Sequence, residues 1–260
     1  MIMTYGPKRQ VDTSRPHPAR VYDWLLGGKD NYEVDRHVGR ELPADGRDSA
    51  RQNRAFMIRA VSWLAESGTD QFLDIGTGIP TEPNLHQVVQ RIRPSARIVY
   101  TDNDPIVLRH AEALLVSTPE GTTDYVEADV RDPEYIIEHA GRSLDFGRPI
   151  ALSLIALMHF VPDEEAYGIV RTLVDALPSG SHLALSNASS DLRPERAARI
   201  TAQYAQAGIE LAFRTRDGVA RFFEGLDLVE PGLVTAPRWY RGAAPEREDS
   251  TIYAAVARVP

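Results

Sequence analysis

Gln71-Phe72-Leu73-Asp74-Ile75-Gly76-Thr77-Gly78-Ile79-Pro80 is the stretch on which the reading of the fold turns. Three apolar residues, Phe72, Leu73 and Ile75, lead into an acidic residue and two glycines, and a helical pattern begins a few residues on. That order is produced by a buried parallel strand feeding a tight turn beneath a ligand. Gly76 and Gly78 can take backbone angles closed to other residues and let a bound molecule approach the main chain. Asp74 falls at the carboxyl end of the strand, where open α/β sheets place their ligands. Alone, an Asp-x-Gly-x-Gly run is a weak motif, because so short a pattern arises by chance.

Its weight comes from the next strand. Residues 96–105 read Ala-Arg-Ile-Val-Tyr-Thr-Asp-Asn-Asp-Pro, with Ile98, Val99 and Tyr100 as a β-rich run and Asp102 at its tip. An acidic residue about 20 residues beyond a glycine turn is where a ribose diol finds its acceptor, since one carboxylate can take both hydroxyls. Asp102 has a plainer reading as the turn residue ahead of Asn103-Asp104-Pro105. Taken with the glycine turn, it argues for a nucleoside-containing cofactor. At this point a dinucleotide and S-adenosylmethionine are both open.

Composition narrows the classes. The chain has 260 residues, 43% of them hydrophobic, which suits one large α/β domain. No apolar run approaches the roughly 18 residues of a membrane span, and the polar N-terminus carries no signal-like region. A soluble, cytoplasmic protein is the expectation. The net charge of −8 and the lack of a basic block discourage nucleic acid as a partner. There is no cysteine. Disulfides, thiolate-ligated metals, iron–sulfur clusters and thiolate nucleophiles are therefore excluded, and no metal site is expected.

Working outward, residues 1–14 lack periodicity and are expected to be mobile, leaving residues 15–260 as a single domain. Residues 15–67 form an N-terminal cap and helix, and residues 68–260 form the core. In the cap, Val21, Trp24 and Leu25 give one or two helical turns stopped by Gly27-Gly28. This segment reads either as a lid or as an arm packed on the core. A helix over residues 49–66 carries Ala55, Ile58, Val61, Trp63 and Leu64 as its stripe. Asn84 caps a helix ended by Pro94. Further helices are read over residues 105–115, 163–177, 194–207 and 217–223. Strands are read at residues 124–127, 149–157, 182–186, 226–234 and 252–259, the last two joined by a polar loop, 241–249. The alternation predicts an α/β fold, a doubly wound, mostly parallel seven-stranded sheet closed by a C-terminal antiparallel hairpin. A nicotinamide-binding sheet has six parallel strands, so the terminal hairpin favours S-adenosylmethionine.

With these residues in view, the chain resembles a class I S-adenosylmethionine-dependent methyltransferase of Rossmann-like fold. More narrowly, it is similar to the bacterial S-adenosyl methyltransferase family long catalogued only as a domain of unknown function. The resemblance rests on Arg-Val-Tyr-Asp-Trp-Leu-Leu-Gly-Gly-Lys-Asp-Asn-Tyr (20–32), Phe-Leu-Asp-Ile-Gly-Thr-Gly-Ile-Pro-Thr (72–81), Tyr-Thr-Asp-Asn-Asp-Pro (100–105), Ala-Asp-Val-Arg-Asp-Pro (128–133) and Leu-Met-His-Phe-Val-Pro-Asp (157–163). The first is the most specific, because generic methyltransferases lack it.

The resemblance implies that Asp74, Gly76, Thr77 and Gly78 line the methionine end of the cofactor. It further implies that Asp102 holds the ribose, Asn103 adjoins the adenine, and Asp129 with Val130 meets its amino edge. Ile155 through His159 would form the floor beneath the sulfonium, and Tyr22 with the Gly27-Gly28 turn would cover the cofactor. One departure is Pro80, where the broad class often has a third glycine. It counts against a dinucleotide, whose pyrophosphate uses that glycine.

Catalysis leaves no obligatory motif, because methyl transfer needs alignment and exclusion of water more than a base. His159 is the candidate base, with a packed core histidine as its plainer reading; Tyr22 is a second candidate, or else an amphipathic core residue. His86 reads as a loop or helix-capping group. The acceptor is expected to be a small molecule recognised by the cap and by residues 190–224. A non-catalytic binder of S-adenosylmethionine or S-adenosylhomocysteine would carry the same motifs. A nicotinamide oxidoreductase is the third reading.

Overall fold

The computed structural model describes residues 12–114, 116–239 and 250–260. Most of the stretch read as a mobile N-terminus, Leu115, and the whole of the loop at residues 241–249 lie outside the described residues. Five parallel strands carry the core: β1 (Gln71–Ile75), β2 (Arg97–Asp102), β3 (Thr122–Glu127), β4 (Ala151–Ile155) and β5 (His182–Ala188). Antiparallel to β5 runs β8 (Ile252–Arg258), whose other edge takes β6 (Asp227–Leu228) and β7 (Val234–Thr235). The order is β3-β2-β1-β4-β5-β8-β6, with β7 also on β8. Strand order therefore reverses between β1 and β4, which opens a crevice at their carboxyl ends.

The strand read over residues 226–234 needs correction. It is interrupted after Leu228, because Pro231 has no N–H to donate and Gly232 turns the chain at φ +80°. Two short segments thus share the edge position that one strand was expected to fill.

Alternation along β1 sends Phe72 to one face of the sheet and Leu73 and Ile75 to the other. On the first face, α3 (Gly46–Glu66) and α4 (Leu85–Ile92) pack through Phe56, Leu64 and Val89 around the buried Trp239. The buried stripe of α3 is Phe56, Met57, Ala60, Val61, Leu64 and Ala65, a phase shifted from the one read in the sequence; Ala55 and Ile58 are only half-buried. On the second face lie α6 (Pro133–Ala140) and α7 (Asp163–Asp175), packed through Ile136, Ile169 and Leu173. The helix α5 (Pro105–Leu114) follows β2.

The cap consists of α1 (Pro18–Leu26) and α2 (Glu33–Glu41), the second a helix not singled out in the sequence because little of it is apolar. Gly27 ends α1 at φ +86°, the left-handed cap anticipated. Gly39 on α2 lets the helices approach closely, since a Cβ there would lie 2.3 Å from the Trp24 ring. The cap is fastened by charge. Arg20, 4% exposed, sits 3.3 Å from Asp104 and 3.7 Å from Asp35, and the Asp35 carboxylate accepts the His17 and Tyr32 backbone N–H groups at 2.9 Å. After β5 in the chain come α8 (Pro194–Gln206), which contacts α2 of the cap, and α9 (Arg216–Ala220), whose Val219 joins the core on the α6 and α7 face.

Candidate functional site

The crevice between β1 and β4 deepens into a cavity of about 520 Å³ running beneath the cap to α8. Such a volume lies within the range of small-ligand sites. Asp74, Gly76, Thr77, Gly78, Asp102, Asn103, Asp129, Val130, Ile155, His159 and Tyr22 all line it. Gly28 does not. Its N–H donates to the Asp23 carbonyl at 2.9 Å, and a Cβ on it would collide with the Asp23 carboxylate. That carboxylate accepts Asn31 Nδ2 at 2.6 Å and Asp30 N–H at 3.1 Å. Gly28 thus has its place inside a turn, away from the expected cofactor surface.

At the glycine turn both Gly76 (φ +73°) and Gly78 (φ +69°) are left-handed. Gly78 has no atom within 4 Å of a would-be Cβ, so the turn leaves open space above it. Asp102 is buried and accepts Gly78 N–H through Oδ2 and Asp104 N–H through Oδ1, each at 2.9 Å. The turn-forming role and a ligand-facing role therefore coexist, because a carboxylate has about four acceptor positions and two are used. Burial pushes its pKa up against those two N–H bonds. Asn103 donates to Asp129 Oδ2 at 2.9 Å and Arg131 N–H to Asp129 Oδ1 at 2.9 Å. Burial would raise Asp129, yet these bonds and the Arg131 charge hold it below the ordinary value.

Asp74 is pushed up to about 6 by burial, with the Arg54 guanidinium opposing the shift. Arg54, on α3, donates through Nη2 to the Thr81 carbonyl and to the Pro83 carbonyl (2.8 Å), while its Nε is buried without a partner. Burial also lowers its own pKa. Sequence reading passed over Arg54, because an arginine beside an apolar helical stripe looks like solvated surface.

Tyr22 is engaged elsewhere than expected. Its hydroxyl donates to the Ala50 carbonyl at 3.1 Å and accepts Asn53 Nδ2 at 3.0 Å. Ser186 Oγ donates to Asn53 Oδ1 at 2.5 Å and accepts Ala156 N–H at 3.0 Å. One chain of bonds thus ties cap, α3, β5 and the end of β4. The Tyr22 proton is committed within that chain, and burial raises its pKa. Asn53 could have been found: it occupies a position of the buried α3 stripe, and a polar residue there demands partners. Ala156 lies at φ +56°, a left-handed alanine at the tip of β4, which costs about 1–2 kcal/mol. It lines the cavity.

His159 follows on a 3₁₀ turn, Met158–Phe160, held by Arg214, which donates to the Met158 and Val161 carbonyls at 2.7 Å. Burial and the Arg214 charge lower the imidazole to about 3. It is neutral at physiological pH. Its Nδ1 is the ring nitrogen nearest a protein donor, the Ala188 N–H at 3.5 Å, an arrangement that leaves the proton on Nε2. His86 is buried, with its backbone N–H and Nδ1 both on the Tyr100 hydroxyl at 2.8 and 2.9 Å. The cap of α4 is Asn84, which forms a capping box with Gln87, so the His86 side chain serves the contact with β2 and not the helix end.

The groups present suit a nucleoside carrying an amino-acid tail. A carboxylate held near 6 and a buried guanidinium nitrogen without a partner flank the glycine turn, complementary to an ammonium and a carboxylate. Asp102 retains acceptor positions for a diol. Among the described residues, no group of three or more His, Asp or Glu is placed to hold a metal, and no helix is long and apolar enough to cross a membrane.

Comparison with known proteins matches residues 5–260 to a family described as S-adenosyl methyltransferase. A DUF574-family protein from Streptomyces avermitilis MA-4680 is 48% identical, with 96% of this chain and 100% of that one covered, at a TM-score of 0.92. A candidate methyltransferase from Thermobifida fusca YX is 37% identical over 95% of this chain and 96% of that one, at a TM-score of 0.87. Magnesium protoporphyrin IX methyltransferase from Synechocystis PCC 6803, crystallised with S-adenosylhomocysteine, shares the fold at a TM-score of 0.54. It is 13% identical, with 92% of this chain and 93% of that one covered. No curated protein matches the chain.

Proposed function

The chain belongs to the S-adenosyl methyltransferase family, and from that premise we propose how its residues serve methyl transfer. It is an S-adenosylmethionine-dependent methyltransferase. Asp74 takes the ammonium and Arg54 the carboxylate of the methionine end, while the Gly76–Thr77–Gly78 backbone admits it closely. Asp102 takes the ribose hydroxyls; Asn103, Asp129 and Val130 border the adenine. Ile155 and Ala156 form the floor and Tyr22 the cover. The observation that carries this reading is the pairing, around one glycine turn, of Asp74 with the Arg54 Nε that has no partner.

When bound, the cofactor supplies a methyl carbon activated by its sulfonium, so alignment and a dry site are the main demands on the protein. The engaged Tyr22 hydroxyl braces the cap against β4 and does not carry a proton to the acceptor. His159, neutral with its proton on Nε2, offers a hydrogen-bond donor in place of a base. A small molecule fits as acceptor: the remaining cavity is enclosed by apolar side chains, and the net charge of −8 opposes a nucleic-acid substrate.

The test is calorimetric titration with S-adenosylmethionine, S-adenosylhomocysteine and NAD. The first two bind and NAD does not. Asp102→Ala weakens both by about 100-fold, the worth of two hydrogen bonds to a charged group. Affinity indifferent to Asp102 would overturn the assignment.

A further inference from the structure

Away from the strand tips, the cavity is walled by α8, by the loop from Gly208 to Phe213, and by the link between α2 and α3. The surfaces there are apolar: Leu42, Phe160, Ile200, Ile209, Leu211 and Phe213. Set into them are hydrogen-bonding groups that the protein leaves unserved. Tyr204 is 7% exposed and lines the cavity, and among the described residues its hydroxyl has no hydrogen-bond partner. Arg196, 13% exposed, faces Asp45 at 3.1 Å and Ser49 Oγ at 3.3 Å through Nη2, but its Nε is buried with no partner.

Leaving a buried donor unmet costs about 1–3 kcal/mol, a cost removed when a ligand supplies the acceptor. Arginine has donors only, and the Nε2 assigned to His159 is also a donor. Two carboxylates lie nearby. Asp45, half exposed, is outside the cavity lining, and Glu210 is exposed at its rim. The buried complement of this end is therefore an oxygen acceptor, and a charged one at Arg196.

Spacing adds a ruler. Arg196, Ile200 and Tyr204 stand at successive fourth positions of α8, so cation, apolar side chain and hydroxyl share one face over roughly 12 Å. Phe160 packs 6.3 Å from the Tyr204 ring, and His159 lies between Phe160 and Phe213, a setting that favours flat rings.

We propose that the methyl acceptor is a flat, apolar-bodied carboxylate: its carboxylate lies at Arg196, its ring system over Ile200 and Phe160, and a second oxygen at Tyr204. This rests on the cofactor occupying the strand-tip end of the same cavity.

The test uses 6-hydroxy-2-naphthoate, its carboxamide, and 2-naphthoate as probes, titrated calorimetrically into protein preloaded with S-adenosylhomocysteine. The hydroxy acid binds about tenfold tighter than the amide, the worth of one charge-assisted bond. Arg196→Gln removes that preference. Tyr204→Phe weakens the hydroxy acid about fivefold and leaves 2-naphthoate unchanged. The heat of S-adenosylhomocysteine binding is measured in each variant, so that misfolding is seen directly. Acid and amide binding equally, a preference that survives Arg196→Gln, or no binding by any probe to cofactor-loaded protein would overturn this inference alone. Wild-type protein that takes up no S-adenosylhomocysteine would overturn the cofactor assignment, and this one with it.

Discussion

At its sheet end the cavity is bordered by backbone and by short acidic side chains at the tips of β1, β2 and the loop after β3. At its far end it is bordered by long side chains carried on α8, a loop and the cap. The first end inherits its geometry from hydrogen-bonded strands whose register admits no slip without turning the core inside out. The second is held by scattered side-chain contacts among α8, the loop and the cap. Fixed geometry suits a ligand shared by every member of a fold. Long side chains on replaceable elements suit a ligand that differs from one member to the next.

The largest effect that can break this contrast lies at Asp74. With its pKa near 6 in the unliganded protein, cofactor affinity falls as pH drops through about 6, up to tenfold per unit, and binding near that pH releases protons. Asp74→Asn weakens S-adenosylmethionine by about 100-fold at pH 8 and abolishes that dependence, as calorimetry in buffers of different ionisation enthalpy will read. The same substitution has the opposite sign for stability. A carboxyl raised in the folded state costs stability as pH rises from about 4 through 6. Asp74→Asn should thus stabilise the unliganded protein by up to about 3 kcal/mol at pH 8 and little at pH 4, measured by urea unfolding.

Arg54→Met comes next. It should weaken the cofactor about tenfold and move the pH limb upward, because the guanidinium that opposes the rise of Asp74 is gone; a larger loss for S-adenosylmethionine than for a decarboxylated analogue locates the contact. At the far end effects shrink. His159→Gln should lower kcat by about threefold to tenfold with an unchanged pH profile, because a group near 3 adds no limb at about 6.5. A wild-type limb there that vanishes in the variant would restore His159 as a base. The smallest is Ala156→Gly, which relieves a left-handed alanine and should add about 1 kcal/mol of stability while slackening the floor.

The same contrast governs what could be read in advance. Strand periodicity, the two glycines and Asp102 are local signals, and they placed the crevice because the sheet translates sequence order into space. Arg54, Asn53 and Arg214 escaped because their roles depend on partners far off in the chain: Pro83 and Thr81, Ser186, and the turn after β4. The segment at residues 20–32 was legible as distinctive but not as to purpose. Asp23, Gly28 and Asn31 serve its own turn, and Arg20 serves Asp104. The edge strand was misread because apolar content at residues 226–234 outvoted a proline and a glycine.

The Arg20–Asp104 contact has a consequence for ionic strength. Counterions weaken charge pairs they can reach, such as Arg40–Glu33, Arg51–Asp48 and Arg171–Asp175 on the surface. Arg20, Asp104 and Asp35 are each at most 5% exposed, where that screening is much weaker. The cap is thereby fastened next to Asp102 by a joint that dissolved salt loosens far less, so the proposed cofactor pocket should keep its shape from dilute buffer to brine.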